Sequence, residues 1–236
     1  MKRRALEMLR SALLAAWPTL CAAQAPQAVV YGGVESSAST YYAYSGWLQP
    51  VAGGTLGAGP FVRAGASLLG YQYDTVIGGQ DARVRARAPG VELAAGWAFG
   101  SPAAGGDLSL AVGVRELQLS TEDPGARLRG TTGYLAPQVS LHLRATSGLE
   151  ATLLANAATR LDSRFARARL GWRVERWTLG PELQLSKGPE YRDQRAGVHV
   201  SVTLPDGWGL GAQAGRARDI DRRRDGYFGL SVSRAF

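Results

Sequence analysis

Residues 163–186 read Ser163-Arg-Phe-Ala-Arg-Ala-Arg-Leu-Gly-Trp-Arg-Val-Glu175, then Arg176-Trp177, then Thr178-Leu-Gly-Pro-Glu-Leu-Gln-Leu-Ser186. In the first run Ala166, Ala168, Leu170, Trp172 and Val174 share one face, and Arg167, Arg169, Gly171 and Arg173 share the other. In the second, Leu179, Pro181, Leu183 and Leu185 oppose Gly180, Glu182, Gln184 and Ser186. A period of two marks a strand with unlike faces. A two-residue turn at Arg176-Trp177 predicts Glu175 opposite Thr178 and Glu182 opposite Gly171, with Arg169 and Arg173 diagonal to the carboxylate. Thin apolar faces alternating with charged ones point to an antiparallel up-and-down transmembrane β-barrel, apolar outside and polar inside.

Before this hairpin, similar segments recur at Val29–Glu35, Thr40–Pro50, Pro60–Tyr73, Arg83–Phe99, Asp107–Leu119, Arg127–Arg144 and Leu149–Arg160. Beyond the hairpin come Arg192–Leu204, Trp208–Arg218 and Gly226–Phe236. That makes twelve strands, an even number as a closed single-chain barrel requires, or ten if the first two are one bent strand. In Arg83–Phe99 the apolar parity changes between Ala88 and Val91, so a bulge is expected at Pro89-Gly90. Pro181 cannot donate to a ladder, and a second bulge is expected there.

The first residues are of another kind. Lys2, Arg3, Arg4 and Arg10 precede the apolar run Ala12–Ala16, and Cys21-Ala22-Ala23 ends in small residues. Residues 1–23 are expected to be a secretory signal cleaved before Gln24, leaving 24–236 as one barrel domain. The run is too short to span a bilayer as a helix, and no stretch of about 18 apolar residues follows it. Leu20 before Cys21 argues against a lipoprotein. The single cysteine leaves with the signal, so neither disulfide nor thiolate metal site is expected. Removing Lys2, Arg3, Arg4 and Arg10 with Glu7 lowers the formal charge from +8 to +5. The arginines alternate with alanine and leucine instead of forming a patch with exposed aromatics, which excludes a nucleic-acid partner. The 31 glycines suit short strands and turns better than a helical core.

A soluble sandwich or lipocalin-like barrel would show the same alternation with apolar residues inside. Three features favour the membrane. Phe236 ends the chain on the face of Val232, Leu230 and Phe228. With the last strand running inward to the periplasm, Trp47, Trp97, Trp172, Trp177 and Trp208 join Phe236 near periplasmic strand ends. Tyr41, Tyr42, Tyr71, Tyr73, Phe165, Tyr227 and Phe228 fall near outer ends, giving two girdles about 25 Å apart. On the same assignment the periplasmic turns are mostly short, and charged loops such as Asp219–Asp225 face outward.

Within the barrel the sharpest residue is Glu182. If Lys187 opposes Arg192, Glu182 faces Gly197, with Arg195 and His199 diagonal. The carboxylate either shapes a lumen and holds sugar hydroxyls or belongs to a structural ion network filling the barrel. The columns Arg83, Arg85, Arg87 and Arg167, Arg169, Arg173, with Gln184, either line an anion- or sugar-selective channel or plug it by pairing with Glu92, Glu150, Glu175 and Glu182. With two histidines, His142 and His199, a histidine-rich metal centre cannot form. Ser140 and His142 share a face beside Asn156, a weak sign of a barrel lipase. No phosphate-binding glycine loop opens a helix, and no cofactor is implied.

Several motifs occur in a fixed order: Tyr42-Ala43-Tyr44-Ser45-Gly46, Gly70-Tyr71-Gln72-Tyr73, Asp123-Pro124-Gly125 with Arg129-Gly130, Asp162 to Arg169, Gly180-Pro181-Glu182 and Asp193-Gln194-Arg195. Together they resemble the cellulose biosynthesis protein BcsS family over nearly all of the mature chain. Arg164, where an aromatic is common, and Arg234 near the end depart from the pattern. The resemblance implies an outer-membrane barrel accessory to cellulose biosynthesis or export. Its partners would be outer-membrane lipid and cellulose or cellulose synthase components. A general small-solute channel and a lipid-modifying barrel enzyme are the alternatives.

Overall fold

An open sheet edge in lipid leaves backbone N–H and C=O groups without partners, so strands that cross a membrane must close on themselves. The computed structural model describes residues 27–101, 103–219 and 224–236. The signal stretch, Cys21 and the cleavage position at Gln24 lie outside the described residues, as do residues 220–223 of the charged loop. Among the described residues the strands are β1 Val29–Ser37, β2 Thr40–Pro50, β3 Gly59–Ile77, β4 Gln80–Gly100, β5 Ala104–Leu119 and β6 Gly130–Arg144. They continue as β7 Leu149–Ala158, β8 Ser163–Val174, β9 Trp177–Lys187, β10 Arg192–Thr203, β11 Trp208–Arg218 and β12 Arg224–Ala235. Each pairs antiparallel with its chain neighbours, and β1 closes on β12 from Val29 opposite Ala235 to Ser37 opposite Tyr227. The fold is a closed, all-β barrel of twelve antiparallel strands. Ala38 and Ser39 separate β1 from β2, which removes the ten-strand alternative. Gln27 and Phe236 meet at one rim, where the Gln27 amide donates to the Phe236 carbonyl at 2.8 Å.

The walls differ in height. β3 and β4 have 19 and 21 residues, against 9 and 11 in β1 and β2. A tilted strand crosses a bilayer in about 9–11 residues, so the upper part of β3–β4 stands clear of it. The stretch Thr75–Asp81, between the expected segments Pro60–Tyr73 and Arg83–Phe99, is a tight hairpin, with Ile77 opposite Gln80 and the connecting Gly78 and Gly79 at φ 60° and 82°. Adjacent positive φ angles suit glycine, which has no Cβ to clash.

The bulge expected at Pro89-Gly90 is absent. Pairing of β3 with β4 runs without a slip from Gly59 opposite Ala98 to Ile77 opposite Gln80. Even-numbered residues of β4 face inward along its whole length. The parity of the apolar residues changes because the surroundings change. Below Pro89 the outward Val91, Leu93, Trp97 and Phe99 are exposed, as lipid-facing groups are in a bare protein. Above it Val84, Ala86 and Ala88 are buried inside with Tyr71 and Tyr73. Pro181 brings no bulge either. The β9–β10 ladder is continuous through Pro181 opposite Val198, while the β8–β9 pairing lapses between Arg169 opposite Glu182 and Trp172 opposite Leu179, then resumes in the same register. The missing N–H is accommodated as a gap in one ladder.

Candidate functional site

The β8–β9 hairpin sets the site. Its connection is Glu175-Arg176, with Glu175 at φ 55° and Val174 opposite Trp177, not the expected Arg176-Trp177. The register moves by two residues, so every face is kept but Glu182 stands opposite Arg169 instead of Gly171. On the other side Glu182 faces Gly197. Glu182 is 1% exposed. Its Oε2 accepts from Arg169 Nε, and Arg167 Nε lies 3.8 Å away. Arg169 also donates to Gln213 on β11. The Tyr227 hydroxyl donates to Glu182 Oε1 at 3.2 Å from β12, three strands away. Its path runs over Gly215 on β11 and Gly197 on β10. A Cβ at Gly197 would sit 2.6 Å from the Tyr227 hydroxyl oxygen, and one at Gly215 would sit 2.8 Å from the ring. Those two glycines make the bed on which the ring lies.

A second carboxylate ties opposite walls. Glu35 on β1 is 4% exposed. It accepts from Arg167 on β8, from Arg195 Nη1 on β10 at 3.0 Å and from Gln184 Nε2 on β9 at 3.1 Å. β1 and β8 are five strands apart around the ring, so the Glu35–Arg167 pair crosses the lumen. Arg195 also holds Asp193 Oδ2 at 2.7 Å and donates to the Thr40 hydroxyl at 2.9 Å. That hydroxyl donates to Asp193 at 3.1 Å. Glu35, Glu182 and Asp193 balance Arg167, Arg169 and Arg195. Burying ions is tolerable when each is both paired and hydrogen-bonded, and here each is.

The far wall repeats the device more loosely. Glu92 on β4 lies between Gly65 on β3 and Gly113 on β5. Tyr134 on β6 crosses Gly113 and its hydroxyl donates to Glu92 at 3.4 Å, while Arg63 Nη2 lies 3.3 Å from the carboxylate. Between the two clusters is a cavity of about 450 Å³ lined by Tyr42, Tyr44, Arg115, Gln138, Asn156 and Phe165 among others. The 188–191 loop supplies its roof. Tyr191 packs on Tyr71 at 4.9 Å between ring centres, and the Tyr71 hydroxyl donates to Glu190 at 3.3 Å. Burial pushes the Tyr191 phenol up to about 12, so it stays neutral at ordinary pH. The 120–129 loop is pinned by Tyr73 donating to buried Asp123 at 2.9 Å.

Several expected site residues lie elsewhere. Arg85 and Arg87 face outward and are exposed, and Arg83 pairs with Asp74 at 2.7 Å on the same outer surface. They belong to the part of β4 above the membrane, where the inside is apolar. Arg173 faces inward but reaches Glu150 at 3.5 Å, not Glu182. His199 keeps its expected place diagonal to Glu182, buried opposite Gly180 and beside Gly171, whereas Arg195, the other diagonal residue, turns to Glu35 and Asp193. Tyr71, Tyr73 and Tyr227 are buried inside, and Phe165 lines the cavity beneath Arg167, so these four form no outer girdle. Phe228 is exposed on the outer face. Trp47, Trp97, Trp172, Trp177, Trp208 and Phe236 all lie on outward positions near the rim that holds the termini. Ser140 and Asn156 line the lumen, and His142 Nε2 lies 3.2 Å from the Ser101 carbonyl. Glu35, Thr40, Gln213 and Tyr227 were not expected in the cluster. Inward parity was their only signal, since no local pattern reports contact across a lumen.

With this geometry in place, comparison with known proteins gives the family. The chain belongs to the cellulose biosynthesis protein BcsS family, whose model matches residues 29–236. No curated protein matches the sequence. Among solved structures the KdgM porin is similar at TM-score 0.51 and 13% identity, over 88% of this chain and 99% of that one. The translocator domain of autotransporter NalP from Neisseria meningitidis is similar at TM-score 0.50 and 11% identity, over 100% and 98%. At such identities the likeness is one of fold, that of outer-membrane barrels.

Proposed function

We propose that this BcsS-family barrel is an outer-membrane accessory of bacterial cellulose biosynthesis or export. In this reading the terminal rim faces the periplasm and the lumen is closed at rest. The family supports the pathway, and the ring of outward tryptophans at the terminal rim supports the orientation. The observation that carries the closed lumen is the Glu35–Arg167 pair, held wall to wall with Arg195, Gln184 and Asp193 around it. A polar core joined in this way resists free diffusion and makes a rigid post on which partners such as cellulose or cellulose synthase components can bind. The test is to delete the gene in its own host, restore it and weigh extracellular cellulose. Deletion should lower the yield and the restored chain should recover it. An unchanged yield after deletion overturns the assignment.

The cavity of about 450 Å³ favours a second reading, a narrow small-solute channel. Proteoliposomes swelling in small sugars would support it.

A further inference from the structure

The outer surface of β8–β11 carries a feature that neither the lumen nor the wall explains. At the rim opposite the termini, Arg164 on β8 stands directly opposite Lys187 on β9, and Lys187 directly opposite Arg192 on β10. All three are exposed on the outward face. Directly paired side chains on one face have Cβ atoms about 4.5–5.5 Å apart, and like charges there repel. Asp162, the acid nearest Arg164 in the chain, is engaged by Arg127 at 3.8 Å. No ion-pair partner is found for the three cations among the described residues. Arg216 and Arg218 on β11 extend the patch.

Its height suggests what neutralises it. Two residues below Lys187 on the same face is Leu185, followed by Leu183, and on β10 the outward Val198 lies below Arg192. All three apolar residues are more than half exposed, as the lipid band is elsewhere. At about 3.3 Å per residue the cations stand roughly 7 Å along the strand from the last leucine of that band, or about 5 Å higher at a strand tilt of about 40°. That is the depth of lipid headgroups, and arginine forks match phosphate oxygens in pairs. The other rim shows tryptophans at the equivalent height.

We propose that Arg164, Lys187 and Arg192 seat the phosphorylated headgroup of a membrane lipid in the leaflet at the rim opposite the termini. The acyl chains would lie along Leu183, Leu185 and Val198. One phosphate bridging the three strands turns their mutual repulsion into a common attraction.

The test uses the folded full-length barrel in a neutral detergent, titrated with diphosphorylated lipid A or its dephosphorylated form. Bound lipid is counted by native mass spectrometry and thermal stability is followed in parallel. The wild type should retain the phosphorylated lipid and gain stability from it, and do neither with the other form. Each cation at an anionic surface is worth about fivefold in binding, so R164Q/K187Q/R192Q should lose on the order of a hundredfold. Without lipid this variant should be as stable as wild type or more so, because the repulsion is gone. If the triple variant does not fold, K187Q alone should lose about fivefold. R85Q/R87Q removes two outward cations that face no like charge and should change binding little. Equal retention by the wild type and the row variant overturns the proposal. So does an equal loss in R85Q/R87Q, or the same stabilisation by millimolar inorganic phosphate, which would mean a site for free anions.

Discussion

The lower and upper halves of β4 follow one backbone register and have opposite insides. Below Pro89 the strand shows lipid Val91, Leu93 and Trp97 and turns Glu92 toward Arg63 in the lumen. Above it Val84 is wholly buried at 0% exposure, and Arg85 and Arg87 point to water. Nothing slips between the halves. The solvent outside changes from hydrocarbon to water, and the residues on each side of the sheet change with it. The lower half is held by paired ions inside and lipid outside, the upper half by ordinary apolar burial around Tyr71, Tyr73, Val84 and Ala86. The two halves should therefore answer differently to the same kinds of substitution.

The largest effect is expected at the polar core of the lower barrel. Glu182→Gln leaves half-buried Arg169 without its anion and Arg167 with Glu35 alone, and breaking a buried pair from one side costs up to about 3–5 kcal/mol. Urea unfolding in vesicles, followed by tryptophan fluorescence, measures it. Adding Arg169→Gln should recover part of the loss, since the pair is then removed together. A stability unchanged by Glu182→Gln would mean that water solvates the site. Next comes the lipid face. Leu93→Arg, near mid-bilayer, should cost about 2–4 kcal/mol in the same assay, and Leu170→Arg and Leu183→Arg similarly. In the upper half Val84→Ala should cost about 2 kcal/mol as lost burial plus a small cavity. Smallest is Arg87→Leu, which places an apolar group on the upper outer surface. It should shift stability by less than about 0.5 kcal/mol, although it makes the sequence look more lipid-facing. A cost for Arg87→Leu as large as that for Leu93→Arg would put the polarity boundary in the wrong place.

Alternation told which residues share a face almost everywhere, because a period of two survives any even shift in register. That is why the two-residue error at Glu175-Arg176 left the inward set of β8 and β9 intact. It failed to tell which solvent bathes each face. Arg83, Arg85 and Arg87 read as lumenal in the sequence because apolar-outside holds only within the membrane, and above it the inside is the apolar side. Glu182 stood out from its own hairpin, and its contact with Gly197 followed from the Lys187–Arg192 pairing. Glu35 did not, since its partners Arg167 and Arg195 are 132 and 160 residues away in sequence and meet it across the lumen. Local pairing rules give neighbours within the wall, whereas cross-lumen contacts depend on the closed curvature of all twelve strands.

On the proposed function, the ion network anchored on Glu35 and Arg167 closes the barrel. Single-channel recording of the purified full-length chain in a planar bilayer tests it most directly. The wild type should show no steady open level, and Glu35→Ala combined with Arg167→Ala should open a stable conductance. A wild-type barrel with a steady ohmic conductance, unchanged by the double variant, would mean that the network leaves the lumen open.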